Sequence, residues 1–171
     1  MPYEMHRIFC SAAGDLEEER QIFHKVIGSF NEQHAMKRNI LLVSVSLPEA
    51  VVNKLGYQSV MYENIRDCRY YIQLLEDTWG PPQKNFEKEY ALAKRCEADP
   101  AQLMQEAVVF FKKPLLPHKV EPEVAALKES FQSTHGSLLE FETGGQLAQL
   151  IEDRLIKWLD ETKPAETAAA L

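Results

Sequence analysis

The chain has 171 residues, of which 45% are hydrophobic and 26% charged, and these are ordinary proportions for one globular domain with a sizeable core. Its net charge of -7 argues against binding along a nucleic-acid backbone, which requires clustered Lys and Arg. It does not exclude binding of a small nucleotide. No apolar run is long enough to span a membrane and the amino terminus lacks the apolar segment of a signal peptide, so we expect a cytoplasmic protein.

The three cysteines indicate reduced thiols. Cys10, Cys68 and Cys96 are far apart and odd in number, which fits an intracellular protein better than a disulfide framework. Cys10 and Cys68 adjoin apolar runs and are expected to be buried. No Cys or His pair has the spacing of a zinc site, so we predict neither a metal nor a cofactor.

Apolar segments rich in strand formers alternate with amphipathic helical patterns along the chain. The predicted strands cover residues 7–10, 39–45, 70–75, 106–111 and 137–141. The predicted helices cover residues 16–30, 57–68, 86–96, 123–134 and 146–162. Asp15 and Glu18 have the spacing of a capping box at the first helix. We therefore predict one domain over residues 1–162, followed by a flexible tail over 163–171.

Five strands alternating with five helices predict an α/β fold with a doubly wound parallel sheet. The strands at 39–45 and 106–111 are almost continuously apolar, as expected when helices cover both faces of a sheet. For five strands, the flavodoxin-like order 2-1-3-4-5 is the leading choice. Its switch point lies between strands one and three, so the loops at 11–15 and 76–82 should border one crevice. We also expect burial of six side chains: Phe23, Ile27, Ile65, Val109, Leu150 and Trp158.

Several known site motifs are missing from the sequence. There is no G-x-G-x-x-G, no G-x-x-x-x-G-K-[ST] and no G-x-S-x-G, so dinucleotide, P-loop and α/β-hydrolase sites are not predicted. A flavodoxin-type FMN site is disfavoured because the first loop lacks a run of hydroxyl side chains. Asp77 follows strand three as in a phosphoacceptor receiver, but the acidic pair after strand one and the Lys after strand five are missing.

The segment from 70 to 93 is predicted to be strand, loop and helix, and it contains the main candidate residues. Gly80 and the two prolines after it end the strand, and Glu87 follows in the first turn of the next helix. Ligands of open α/β sheets bind outside the carboxyl ends of strands, which places this loop at the expected site. Trp79 either stacks on a ligand ring or covers the edge of the core, and Glu87 either meets a ligand or complements the helix dipole.

Several segments together resemble a TIR-like family of uncharacterised, bacterial signalling modules. The family opens with a strand, small residues and the pattern D-L-x-x-E-R, which is matched here by residues 8–11 and 15–20. It continues with a helix ending near a Cys, then a strand and a Trp-Gly turn, matched by Cys68 and by residues 71–80. A Glu three residues before a Tyr follows on the next helix, matched by Glu87 and Tyr90. Arg69 replaces the usual Asp after the Cys, and Phe86 replaces the usual Ser or Thr before the Glu.

The resemblance implies two alternative functions for the chain. One is a signalling module that acts through self-association or a protein partner. The wider superfamily also contains domains that cleave NAD or exchange the base of a nucleoside, and these are similar in placing a Glu at the start of this helix. Cleavage of an N-glycosidic bond develops positive charge on the ribose, which a carboxylate stabilises or attacks, so Glu87 is the candidate catalytic residue.

Four further side chains are candidates for ligand binding in either case: Ser11, Asp15, Asp77 and Trp79. Asp15 is also explained as a helix cap, and Asp77 as a residue that stabilises its turn. The two functions predict different geometry. An open cleft with Glu87 at its floor favours the enzyme, whereas a filled crevice favours the interaction module.

Overall fold

The computed structural model describes residues 2–13, 16–45, 57–81 and 84–162. Asp15, the predicted loop at 46–56 and the predicted tail at 163–171 lie outside the described residues.

Five strands form one parallel sheet in the order β2-β1-β3-β4-β5, as predicted. Their bounds are β1 Glu4–Ala12, β2 Ile40–Val45, β3 Tyr70–Leu75, β4 Glu106–Lys112 and β5 Glu140–Phe141. The predicted limits of the third strand are correct. The first strand is longer than predicted at both ends, and the fifth is reduced to two residues.

Within the described residues, five α-helices cover both faces of the sheet, four of them between consecutive strands, which gives the predicted doubly wound, flavodoxin-like arrangement. Their bounds are α1 Glu17–Phe30, α2 Tyr57–Arg66, α3 Phe86–Ala98, α4 Pro122–His135 and α5 Gly144–Glu161. Helices α1 and α5 pack on one face, and α2, α3 and α4 supply buried side chains to the other. None of the described helices has the length and apolar character needed to cross a bilayer.

A short extension of α1 protects the outer edge of the sheet. A π-helical turn at Asn31–Ala35 and a 3₁₀ turn at Met36–Arg38 follow α1, and Asn39 ends them with φ of 58°. The Asn31 side chain donates to the carbonyl of Leu42 at 2.9 Å and accepts from its amide at 2.8 Å. Asn31 therefore takes the place of a neighbouring strand at the centre of β2, an edge that would otherwise be open to pairing there.

The predicted core is largely confirmed, with one correction. Phe23, Ile27, Ile65, Val109 and Trp158 are all at most 3% exposed. Leu150 is only partly buried at the margin of the core and lines a surface groove. The fully buried positions of α5 are its neighbours Leu147 and Ile151. The prediction was wrong because adjacent residues of an amphipathic helix differ by about 100° in direction, and the sequence pattern allowed either phase.

The side-chain caps of two helices can be compared with the sequence. The N-cap of α1 is Leu16, which makes no side-chain cap hydrogen bond, and the capping box predicted at Asp15 lies outside the described residues. A complete capping box stands instead at α5, between Thr143 and Gln146. The Thr143 hydroxyl accepts from the Gln146 amide at 3.2 Å, and Gln146 Oε1 accepts from the Thr143 amide at 3.1 Å. The sequence T-x-x-Q carried this signal.

Candidate functional site

The carboxyl ends of β1 and β3 lie side by side, as the strand order requires. Ala12 pairs with Leu74, and the amide of Ala13 continues the ladder by donating to the carbonyl of Leu74 at 3.1 Å. The chain then departs toward α1 from β1 and toward α3 from β3. This edge of the sheet is the switch point of the fold, where ligands of open α/β sheets bind.

A buried hydrogen bond joins β1 to α3 at this edge. The Ser11 hydroxyl donates to Glu89 Oε2 at 3.0 Å, between side chains that are 4% and 2% exposed. Glu89 lies on the inward face of α3 with Ala93 and Cys96, four and seven residues further along. That spacing places the carboxylate on the apolar stripe of the helix, directed at the sheet.

Two further polar side chains extend this bond along β3. The Tyr71 hydroxyl donates to Gln73 Oε1 at 2.7 Å. Gln73 Nε2 lies within hydrogen-bonding distance of the carbonyls of Ser11 at 3.2 Å and of Leu74 at 3.1 Å. Tyr71 and Gln73 are both fully buried. We call Tyr71, Gln73, Ser11 and Glu89 the buried polar chain; because its members bond to one another, it fixes the relative positions of β1, β3 and α3.

The loop after β3 is held by a glutamate that precedes α4. Glu121 accepts from the Thr78 hydroxyl at 2.5 Å and from the amide of Trp79 at 3.2 Å. The Thr78 hydroxyl also accepts from the amide of Gly80 at 2.9 Å, and Gly80 has φ of 78°, a conformation that glycine adopts without strain. The amide of Glu121 donates to the carbonyl of Asp77 at 2.8 Å. The loop is therefore held by side-chain and main-chain bonds together.

Trp79 is part of the core rather than an open stacking surface. It is 7% exposed, and its ring lies 5.8 Å from that of Tyr90 at an angle of 32°. The ring centroid of Tyr90 in turn lies 6.3 Å from that of Tyr71. An aromatic layer therefore covers the buried polar chain. Burial raises the pKa of Tyr90 to about 12, so its hydroxyl stays protonated at neutral pH.

Glu87 points away from these residues. It is exposed in the first turn of α3, whereas Glu89, two residues further along, is enclosed. Residues two apart on a helix differ by about 200° in direction, so only one of the two carboxylates faces the crevice. Of the predicted site residues, Ser11, Asp77 and Trp79 lie at this edge, Glu87 lies on the solvent side of the helix, and Asp15 is outside the described residues.

A charged group on the other side of the same edge was not predicted. Lys112, at the end of β4, lies 2.7 Å from Glu19 of α1, and this hydrogen bond raises the pKa of the lysine. The pKa of Glu76, the residue after β3, is raised by burial, and the charge of Lys112 offsets only part of this effect. Glu19 is only 8% exposed, although Glu17 and Glu18 beside it are exposed. No local pattern could pair it with a lysine 93 residues away.

The chemistry available at this edge is hydrogen bonding and charge. Burial raises the pKa of the Cys10 thiol far above its usual range, which keeps it un-ionised and a poor nucleophile. Within the described parts of the chain, no three His, Cys, Asp or Glu side chains are placed to share a metal ion.

The chain was compared with known proteins. No family model matches it, and no curated protein or solved structure shows a significant match. The resemblance to TIR-like modules therefore depends on the sequence motifs alone.

Proposed function

We propose that this chain is a TIR-like signalling and protein-interaction module of bacterial, cytoplasmic type, which acts through self-association or through a protein partner. The observation that carries the proposal is the bond between Ser11 and Glu89, because it fills the floor of the crevice with side chains that bind each other. The aromatic layer of Trp79 and Tyr90 closes the same space from the side of α3.

A catalytic carboxylate must reach the bond that it helps to break. A ribosyl-cleaving enzyme needs its carboxylate beside the anomeric carbon of the substrate, within contact distance. Glu89 is 2% exposed and hydrogen-bonded to Ser11, so a substrate would have to displace side chains before touching it. A closed, cross-linked floor suits a domain whose work is done by its outer surface.

An N-glycosidase or base-exchange enzyme acting on NAD or a nucleoside is the second candidate. The observation in its favour is that two carboxylates stand in the first turn of α3, at the edge where the fold places ligands. Glu87 is accessible to solvent and remains the predicted catalytic residue, while Glu89 is the carboxylate that faces the crevice.

Incubation of the purified protein with NAD and with deoxynucleosides, followed by chromatography, tests both functions. The module predicts no turnover by the wild-type chain above that of a buffer control. Turnover that disappears in Glu87→Gln would overturn the module and assign the catalytic role to that residue.

Two variants make the result specific. Glu123→Gln removes an exposed carboxylate from the first turn of α4 and is a matched control for loss of charge. Glu89→Gln distinguishes the buried carboxylate from the accessible one. Turnover lost only in Glu89→Gln would still support an enzyme, but with the substrate entering the closed crevice.

A further inference from the structure

The connection from β4 to α4 carries the most exposed large hydrophobic side chain that the structure describes. Leu115 is 87% exposed and Leu116 is 47% exposed. They lie between Pro114 and Pro117, within residues 113–119, which we call the basic loop. This loop contains two lysines and a histidine and no acidic residue, in a chain of net charge -7. Exposed apolar side chains set among charges of one sign are typical of a protein-binding surface.

The basic loop is fixed at several points. Its first amide, on Lys113, donates to the carbonyl of Phe141 at 2.8 Å. The backbone of Leu115 lies close enough to the carboxylate of Glu76 to lower its pKa. A 3₁₀ turn over Pro117–Lys119 follows, in which the amide of Lys119 donates to the carbonyl of Leu116 at 2.9 Å. Because its shape is set before binding, the loop loses little conformational entropy when it docks.

A groove of about 400 Å³ adjoins the basic loop. It lies between the end of β5 and the first turns of α5, and we call it the β5–α5 groove. Leu150 gives it apolar surface, whereas Phe141 beside it is 2% exposed, and the carboxylates of Glu140 and Glu142 outnumber the one lining cation, Lys113. The partly exposed Leu150 is thus a wall of this groove.

The acidic side chains of the groove are only weakly engaged within the chain. Glu140 lies 3.9 Å from Lys128, and Glu142 lies 4.0 Å from Lys113. These distances are at the upper limit for an ion pair and longer than a charge-assisted hydrogen bond. Both carboxylates can accept from another cation that comes closer.

We propose that two copies of this chain form a two-fold dimer in which the basic loop of each copy docks in the β5–α5 groove of the other. The inference rests on the proposed function, because it names the partner of the interaction module as a second copy. Leu115 supplies the apolar contact with Leu150, and Lys119 and His118 face Glu140 and Glu142. Complementary charge favours this occupant, since the loop carries two lysines and no acidic residue and the groove carries two carboxylates.

The arrangement of the two surfaces fits a closed dimer. Lys113 both lines the groove and begins the basic loop, so the two surfaces adjoin on one side of the molecule. When complementary surfaces adjoin, a two-fold axis between them brings each loop to the partner's groove, and both contacts form at once. Two short loops bury less surface than a standard protein interface, so the dimer is weak and depends on concentration.

Sedimentation velocity over a concentration series up to about 1 mM tests the proposal, a range that covers weak association. We expect the wild-type chain to shift from monomer to dimer. Leu115→Lys should raise the dissociation constant on the order of a hundredfold, because two leucines leave the interface of each dimer. The variant should still fold, since Leu115 is almost fully exposed, and a thermal melt checks this. Leu103→Lys is the matched control, because Leu103 is half-exposed in the turn between α3 and β4.

A mixing experiment separates reciprocal docking from any other dimer. Glu140→Lys with Glu142→Lys reverses the charge of the groove and leaves the loop intact. Each variant alone should be monomeric, and the mixture of this double variant with Leu115→Lys should regain weak dimer, because one of the two docking contacts is intact in the mixed pair. A mixture that associates no better than its components overturns reciprocal docking.

Other results also decide the proposal. A wild-type chain that is monomeric throughout overturns it, as does a Leu115→Lys chain that dimerises like the wild type. In the second case the interaction module survives and only this surface fails, whereas turnover of NAD or a deoxynucleoside would remove the proposed function itself. Binding of monomeric protein to phosphatidylserine vesicles, lost in Leu115→Lys, would assign the loop to a membrane surface and also overturn the dimer.

Discussion

The two faces of the central sheet differ in chemistry, although the same strands form both. Toward α1 and α5, strand β3 presents Ile72 and Leu74, within a cluster that is almost entirely aliphatic and aromatic. Toward α3 the same strand presents Tyr71 and Gln73, which join Ser11 and the helix in the buried polar chain. Both faces are equally buried, so burial alone does not distinguish them.

The comparison shows two ways of holding helices on a sheet. Apolar packing is non-directional and tolerates changes that conserve volume. Buried hydrogen bonds require defined partners, because a polar group left without one costs more free energy than the bond contributes. We therefore expect the first face to supply most of the stability, and the second to fix where β1, β3 and α3 lie around the crevice.

The largest effect is expected from truncation on the apolar face. Ile151→Ala removes a fully buried side chain and should lower the free energy of unfolding by about 2–5 kcal/mol, through lost burial and a residual cavity. Urea denaturation measures it. Leu150→Ala, one residue away and only partly buried, should cost clearly less. Equal costs would contradict the observed phase of α5.

A smaller effect is expected from removing the centre of the polar chain. Gln73→Leu keeps the volume of the side chain but takes away the acceptor of the Tyr71 hydroxyl and the donor to the carbonyl of Ser11. It should cost about 1–3 kcal/mol, the usual penalty for buried polar groups that lose partners. The comparison variant is Ile72→Leu on the other face of β3, which should cost less than about 1.5 kcal/mol. A more stable Gln73→Leu would show that the polar chain is not required for folding.

The link between β1 and α3 can be measured by itself. Ser11→Ala, Glu89→Gln and the double variant form a cycle whose coupling energy should be about 0.5–3 kcal/mol, as for residues in direct contact. A second cycle uses Ser11→Ala and Glu87→Gln. Its coupling energy should be near zero, because Glu87 is exposed on the other side of the helix. Similar coupling in both cycles would mean that the effect is carried by α3 as a whole.

The smallest effect concerns pH. His6 is buried at the amino-terminal end of the apolar face, and burial together with the charge of Arg69 lowers its pKa, against the attraction of Glu4 at 3.1 Å. The unfolded chain therefore binds a proton more readily than the folded chain. The stability that neutral His6 contributes is fully present above the unfolded pKa of 6.5 and is lost as the pH drops below it. His24, whose pKa is also lowered by burial, adds in the same direction.

Urea denaturation at pH 7.5 and pH 5.5 measures this slope. His6→Gln should flatten it, by less than about 1.4 kcal/mol per pH unit, which is the limit for one proton. His118→Gln is the control, because His118 is exposed in the 3₁₀ turn after β4. An unchanged slope in His6→Gln would assign the pH dependence to His24 or to the carboxylates.

Much of the fold could be predicted from the sequence. The alternation of apolar strands with amphipathic helices implied a parallel doubly wound sheet, and the strand order follows from that class of fold. The limits of β3 were correct because Tyr and Ile favour strands and Gly80 ends the run. The position of Ser11, Asp77 and Trp79 at one edge also followed, since the carboxyl ends of parallel strands share an edge.

The candidate site was less predictable, and Glu89 shows why. Its spacing from Ala93 and Cys96 placed it on the inward stripe of α3, so the signal was present. Glu87 was predicted instead because it matches the family's Glu three residues before a Tyr, and a charged residue at a buried position is rare. The two glutamates also complement the helix dipole equally, so that argument could not choose between them.

The sequence by itself determined the elements, their order and the edge of the sheet at which polar residues collect, because periodicity and turn chemistry act between residues close in the chain. Only the tertiary structure decided which carboxylate is enclosed, that Glu19 pairs with Lys112, and that Leu150 lies at the margin of the core beside a groove. Those outcomes depend on the rotation of each helix about its axis and on contacts across 78 or 93 residues, for which the sequence carries no local signal.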